Sequence, residues 1–209
     1  MGSTKQSVAI IIASTRNLRA GPRVVDFVKE VLDKKADTTG IDLSILDLAD
    51  FKLPVFDEDL IPGQVKDSSV YTHDHTKAWS AAIKKHDSYV FVSPEYNYGV
   101  PGGVKNAIDY LKHEWDGKPV AIVTYGLFGG SYSSENLNHV LGKMGLRVAS
   151  TRPQLGFAGG VGQDFFAATK GDLGTDSKSK WEAEEADNIV RAFDELKVLL
   201  KTENQPVGA

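Results

Sequence analysis

The sequence predicts an α/β fold built on a parallel sheet of five strands. Short, continuous apolar runs recur along the chain, SVAIIIA at 7–13, DSYVFVS at 87–93 and the strand within GKPVAIVTYG at 120–124, and such runs are the mark of strands buried on both faces. Each run leads into a polar or glycine-rich loop and then into apolar residues at helical spacing, so strands alternate with helices and the sheet they form is parallel. At 209 residues with 41% hydrophobic content, the chain suits one well-buried core and is a tight fit for two.

In order, the first run ends in Ser14-Thr15-Arg16-Asn17-Leu18-Arg19, and Gly21-Pro22 open a helix striped by Val24, Val25, Val28, Val31 and Leu32, with proline acceptable in its first turn. Gly40 closes that stretch, and IDLSILDL at 41–48 alternates imperfectly, as a strand near a sheet edge does. Between 51 and 78 no period holds, which reads as a long surface excursion. A short helix over 76–85, with Trp79, Ala82 and Ile83 on one face, leads into the 87–93 strand. Residues 94–100 are then a loop at the carboxyl end of a strand, where open α/β sheets bind ligands. Pro101 begins a helix with Val104, Ala107, Ile108 and Leu111 on its buried face.

The 120–124 strand runs into Tyr125-Gly126-Leu127-Phe128-Gly129-Gly130. Ser133 or Ser134 is expected to cap the next helix, which buries Leu137, Val140, Leu141 and Met144 and stops at Gly145. LRVAS at 146–150 reads as the last strand. Residues 156–179 are glycine-rich and polar and are expected to be an irregular loop ordered against a partner subunit. Ala186, Ile189, Val190, Phe193, Leu196 and Leu200 mark a carboxyl-terminal helix. The expectation is one domain over 1–209, frayed at about 1–6 and 202–209. Right-handed crossovers make the flavodoxin-like strand order 2-1-3-4-5 the natural candidate, giving three layers.

Composition narrows the chemistry. The net charge of −4, with basic residues scattered, gives no electrostatic footprint for nucleic acid or an anionic membrane. The absence of cysteine excludes disulfides, thiol redox centres and cysteine nucleophiles, so redox chemistry would need a bound organic cofactor or a metal on other ligands. No stretch approaches about 20 apolar residues, no secretory pattern opens the chain, and Gln6 stands where a myristoylation start at Met1-Gly2 wants Ser or Thr. The protein is expected to be cytoplasmic and unanchored.

Three loops carry the candidate site. The first, 14–19, brings hydroxyls, backbone N–H groups at a helix start and the guanidinium groups of Arg16 and Arg19, the parts of a phosphate site; its plain alternative is a helix entry with two surface charges. Lacking G-x-G-x-x-G and G-x-x-x-x-G-K-[ST], it suits a phosphate monoester better than a pyrophosphate, and FMN better than FAD. The second holds Pro94, Glu95, Tyr96, Asn97 and Tyr98, suited to a flat heteroaromatic ring with a polar edge or, read plainly, to packing and turning. Glu95 either accepts backbone hydrogen bonds at a helix start or faces another subunit, and is not read as a general base. The third, TYGLFGG, is a flexible turn or a set of N–H groups for the pyrimidine edge of a flavin. A metal site at His73 and His75 near Asp57, Asp59 and Asp74 competes with a solvated loop, His113-Glu114 lacks a zincin's second histidine, and no G-x-S-x-G occurs.

ASTRNLR, PEYNYGVPGGVKNAIDYL, HEWDGKP and TYGLFGG, in this order and spacing over about residues 8–149, resemble the NADPH-dependent FMN reductase family of flavodoxin-like proteins, closest to its FMN-containing NAD(P)H:quinone reductase branch. The resemblance implies ping-pong hydride transfer from NADPH or NADH, through N5 of bound FMN, to a quinone or similar acceptor. It implies phosphate binding by Ser14, Arg16 and Arg19, ring contacts from Pro94, Glu95, Tyr96, Asn97 and Tyr98, and pyrimidine contacts from Tyr125, Gly126 and Gly129. No side chain is implied as an obligatory acid, no metal is implied, and a homodimer or homotetramer with the flavin near a subunit interface is. A flavodoxin-type electron carrier or a flavin-binding sensor module is the alternative. Against the pattern of the family it resembles, Ala13 replaces a usual glycine, and Leu127-Phe128 replaces a smaller pair, which is expected to narrow the space over the flavin.

Overall fold

The computed structural model describes residues 5–202. The Met1-Gly2 start and most of the ends expected to fray lie outside them, but Gln6 is already paired with Ile41 and Thr202 caps the last helix. Strands β1 (Gln6–Ile12), β3 (Ser88–Pro94) and β4 (Pro119–Gly126) form the centre of a parallel sheet, with β2 (Ile41–Asp47) at one edge. The order is β2-β1-β3-β4-β5, as expected.

Because side chains alternate along a strand, the central strands feed two cores. Val8, Ile10, Ile12, Val90, Val92, Ala121 and Val123 join α1 (Gly21–Lys35) and α7 (Ala186–Lys201) on one face. Ala9, Ile11, Tyr89, Phe91, Val120 and Ile122 join α2 (Asp74–Lys84), α3 (Gly102–Asp109) and α4 (Ser131–Lys143) on the other. Trp79 of α2 fixes α3 by donating its indole N–H to the Ala107 carbonyl at 2.8 Å.

Three local expectations are corrected. The last strand is interrupted: β5 (Arg147–Val148) and β6 (Gln154–Gly156) both pair with β4. Between them the Thr151 N–H donates to Glu195 of α7 at 2.8 Å, and Pro153 has no N–H to give a ladder. Residues 156–179 are not irregular but carry α5 (Gln163–Thr169) and the start of α6 (Thr175–Glu184). Trp181 anchors them, packed on Phe27 and Phe157 and donating to the Gly156 carbonyl at 2.7 Å. Finally, neither Ser133 nor Ser134 caps α4, which starts two residues earlier after a left-handed Gly130; Ser133 Oγ donates to the Pro94 carbonyl instead.

The 51–78 excursion is ordered over α3. Asn106 accepts from Phe56 N–H and donates to the Pro54 carbonyl, while the buried Glu58 carboxylate accepts the Thr72 and His73 N–H groups at 2.8 and 3.0 Å. His73 and His75 stack at 5.0 Å and bond to Asp57, and among the described residues no group of three acidic or histidine side chains is placed to hold a metal.

Candidate active site

The carboxyl ends of β1, β3 and β4 lie side by side, so the three loops converge. In the first, Arg19 is a staple: its guanidinium pairs with Asp47 of β2 at 2.6 Å and donates to the Ser14 carbonyl at 3.0 Å and hydroxyl at 3.4 Å. Ser14 is fully buried, and a side chain at Gly21 would collide with its hydroxyl. The loop held this way leaves the N–H groups of Thr15, Arg16, Asn17 and Leu18 without an acceptor among the described residues. Consecutive donors just before a helix amino terminus, with a cation beside them, suit an anion. That cation is Arg16, which makes no ion pair among the described residues and lies 5.3 Å over the Tyr96 ring.

In the second loop, Tyr96 and Gly99 exchange both backbone hydrogen bonds at 3.1 Å. The two residues between them, Asn97 and Tyr98, have φ of 49° and 63°, the left-handed pair of a type I′ turn. Asparagine adopts this readily, whereas at Tyr98 it costs about 1–2 kcal/mol. The turn projects Tyr98, 74% exposed, edge-on against Tyr132 at 5.8 Å.

In the third loop, Thr124 Oγ1 donates to the Gly129 carbonyl at 2.9 Å, and the N–H groups of Leu127 and Phe128 have no acceptor among the described residues. The Glu95 carboxylate spans from the second loop to accept the Tyr132 and Ser133 N–H groups at 2.9 and 3.2 Å. Glu95 is thus spent on a helix start, that of α4. Burial pushes the Tyr125 phenol above its ordinary range, against the opposing pull of Ser14, Arg19 and Arg16. Burial likewise raises Tyr96, against Arg16. Both phenols are therefore neutral donors at physiological pH.

These loops enclose a cleft of about 580 Å³, within the usual range for small-molecule sites. Arg16, Pro94, Glu95, Tyr96, Asn97, Tyr98, Tyr125 and Gly126 line it, with Leu127 and Phe128. A smaller, more polar recess of about 440 Å³ lies against the other side of the first loop, sharing Arg16 and adding Arg19 and Lys52.

A sequence model described as NADPH-dependent FMN reductase matches residues 7–159, which contain all three loops. The chain belongs to this family. The family's description fits the donor set, which offers N–H groups and a guanidinium to a phosphate and tyrosines with peptide edges to a flat ring. The protein is accordingly an FMN-dependent NAD(P)H oxidoreductase. It is 43% identical over 196 residues, 93% of this chain and 96% of the other, to the NAD(P)H-dependent FMN reductase ntnL of Nectria sp. A quinone reductase of Pseudomonas putida is 31% identical over 131 residues, 59% of this chain and 63% of its own. The flavoenzyme NAD(P)H:(acceptor) oxidoreductase FerB of Paracoccus denitrificans shares the fold, with a TM-score of 0.62 at 18% identity over 91% of this chain and 98% of its own.

Within this family member, three expected site residues lie outside the main cleft. Ser14 and Arg19 shape the first loop from beneath. Gly129, left-handed at φ 81°, lets the third loop pass β6, where a Cβ would stand 2.9 Å from Gln154 Cβ. Conversely, Ala20, Phe157, Phe165, Ala168 and Thr169 line the cleft unforeseen. The signal for the last three was the 165, 168, 169 spacing in a segment read as irregular.

Proposed function

We propose that the cleft holds FMN with its phosphate on the N–H groups of residues 15–18 and Arg16, and its ring against Pro94, Glu95, Tyr96, Asn97, Tyr98, Tyr125 and Gly126. Ser14, Arg19 and Gly129 serve the same site by fixing the loops. The observation that carries this reading is the juxtaposition of unpaired donors and the Arg16 cation with an aromatic, peptide-edged cleft at the ends of three adjacent strands. FMN held there would supply two-electron hydride chemistry at N5 between NADPH or NADH and the acceptor, and the shared cleft would make the cycle ping-pong. The acceptor is quinone-like; a hydride and one proton from solvent convert it to the hydroquinone. No side chain is needed as that acid, since Tyr96 and Tyr125 hold their protons and Glu95 caps α4. The similarity to a quinone reductase supports this acceptor class.

The chain acts as a single domain, in the cytoplasm, and as a homodimer or homotetramer; exposed aromatics at the cleft rim, Tyr98, Phe128 and Tyr132, support a subunit contact there. No helix among the described residues is long and apolar enough to cross a membrane. Steady-state rates with NADPH and a benzoquinone, each varied at several fixed levels of the other, test the cycle. Parallel double-reciprocal lines are expected, with anaerobic NADPH bleaching the bound flavin and quinone restoring its colour. Intersecting lines would refute the ping-pong order, and protein that binds no FMN would refute the site.

A further inference from the structure

Most of the cleft's remaining wall comes from outside the residues that the family model matches. That match ends at 159, while α5 begins at Gln163. Phe165, Ala168 and Thr169 stand at i, i+3 and i+4 and so share one face of α5, which faces the cleft together with Phe157. Phe166 projects elsewhere and is 54% exposed.

The wall is fixed rather than hinged. The Asp164 carboxylate, buried, accepts the Ser177 N–H of α6 at 2.5 Å, and the Ser177 hydroxyl accepts the Ala158 N–H at 2.9 Å. Gly174 passes so near Asp164 that any side chain there would collide with the carboxylate, and the left-handed Gly171 packs on the Arg19 backbone. Phe165 meets Phe157 edge-on at 6.2 Å, and Phe157 in turn packs on Trp181. This short helix, braced at both ends, holds its side chains against the cleft.

We infer that the α5 face, Phe165 above all, sets the size of the flat acceptor this enzyme reduces. The inference rests on the proposed placement of FMN and acceptor in this cleft. Phe165 and the α5 residues beside it stand across the cleft from the Tyr96–Tyr98 and Tyr125–Phe128 loops, and the bulk of Phe165 is fixed there by its contact with Phe157. Steric exclusion by an apolar wall discriminates by about 10- to 200-fold. One-ring quinones are therefore admitted and three-ring quinones disfavoured.

The test compares benzoquinone with anthraquinone-2-sulfonate, both as kcat/KM and as Kd for the oxidised holoenzyme, which binds quinones without reducing them. Phe165→Ala is expected to shift both ratios toward the larger quinone by about tenfold. Thr169→Trp, an exposed position whose replacement leaves the core alone, is expected to shift them the other way, and Phe166→Ala to leave them unchanged. Should Phe165→Ala fail to fold, Thr169→Trp decides alone. Unaltered ratios in the variants that fold would overturn the inference while wild-type flavin reduction by NADPH stood. Wild-type protein that binds no FMN would instead overturn the reading of the site.

Discussion

Arg16 and Arg19 are one residue type three positions apart, and the fold gives them opposite work. Arg19 is mostly buried against Asp47 and the Ser14 carbonyl, so its charge is neutralised inside the protein. Arg16 is exposed over Tyr96 beside the unpaired N–H donors, so its charge remains for a ligand. Arg16→Ala is expected to weaken FMN binding by about 1.5–3 kcal/mol, the scale of a charge-assisted hydrogen bond, with the melting temperature of the flavin-free protein unchanged. Arg19→Ala is expected to destabilise the flavin-free protein by about 1–3 kcal/mol, because it leaves Asp47 partly buried without its counter-charge. Fluorescence titration of FMN and urea unfolding of both variants separate the two roles; equal effects on stability would sink the distinction. The sequence shows a loop with two cations, but which one is free depends on Asp47, and no local pattern brings the end of the second strand to Arg19.

Among the elements, α4 shows how the cleft is braced. No side chain within its own sequence caps it, and Glu95 from the neighbouring loop accepts its first free N–H groups. A carboxylate there also complements the helix dipole. Glu95→Ala is expected to cost about 0.5–2 kcal/mol, the range for lost caps, and Glu95→Gln less, since the amide oxygen still accepts. Equal losses in the two variants, measured by urea unfolding, would show that Glu95 acts otherwise. Elements with a strong periodic signal were legible in the sequence: β1, β3 and β4 as continuous apolar runs, α1 and α7 as stripes. The helix α6 was not, because TDSKSKWEAE has one large apolar residue, Trp181, and the helix is held by that ring and by Asp164 at its start. Periodicity registers many small burials, not one large anchor with a distant cap. The break between β5 and β6 escaped for a related reason, since it follows from a carboxylate of α7 taking the Thr151 N–H. The same blind spot hid the fourth wall of the site.

Across the whole molecule, the sheet separates two kinds of polar chemistry. Its carboxyl end presents unpaired donors to the cleft, while its amino end buries titratable groups beneath the start of β4. There Lys118 donates to the Ile83 carbonyl at 2.9 Å and the Tyr89 hydroxyl at 2.8 Å. Burial is the main reason that its pKa falls from 10.5 to about 8, outweighing Asp87 and Glu114. A lowered lysine pKa means that the folded chain gives up this proton before the unfolded chain does, so the unfolded state binds more protons above pH 8 and stability rises with pH. The rise is bounded above: burial holds the phenols of Tyr71, Tyr89, Tyr110 and Tyr125 over their ordinary value of 10.0, so the unfolded chain loses those protons first and stability falls beyond pH 10. Stability is therefore expected to climb by about 1 kcal/mol from Lys118 between pH 8 and 10, with allowance for solvent screening, and then to decline. Lys118→Met is expected to flatten the rise and keep the decline, and to leave FMN affinity unchanged because the residue sits at the far end of the sheet. Urea unfolding at half-unit pH steps reads the slope; a variant that rises as steeply as the wild type would assign the effect to another group.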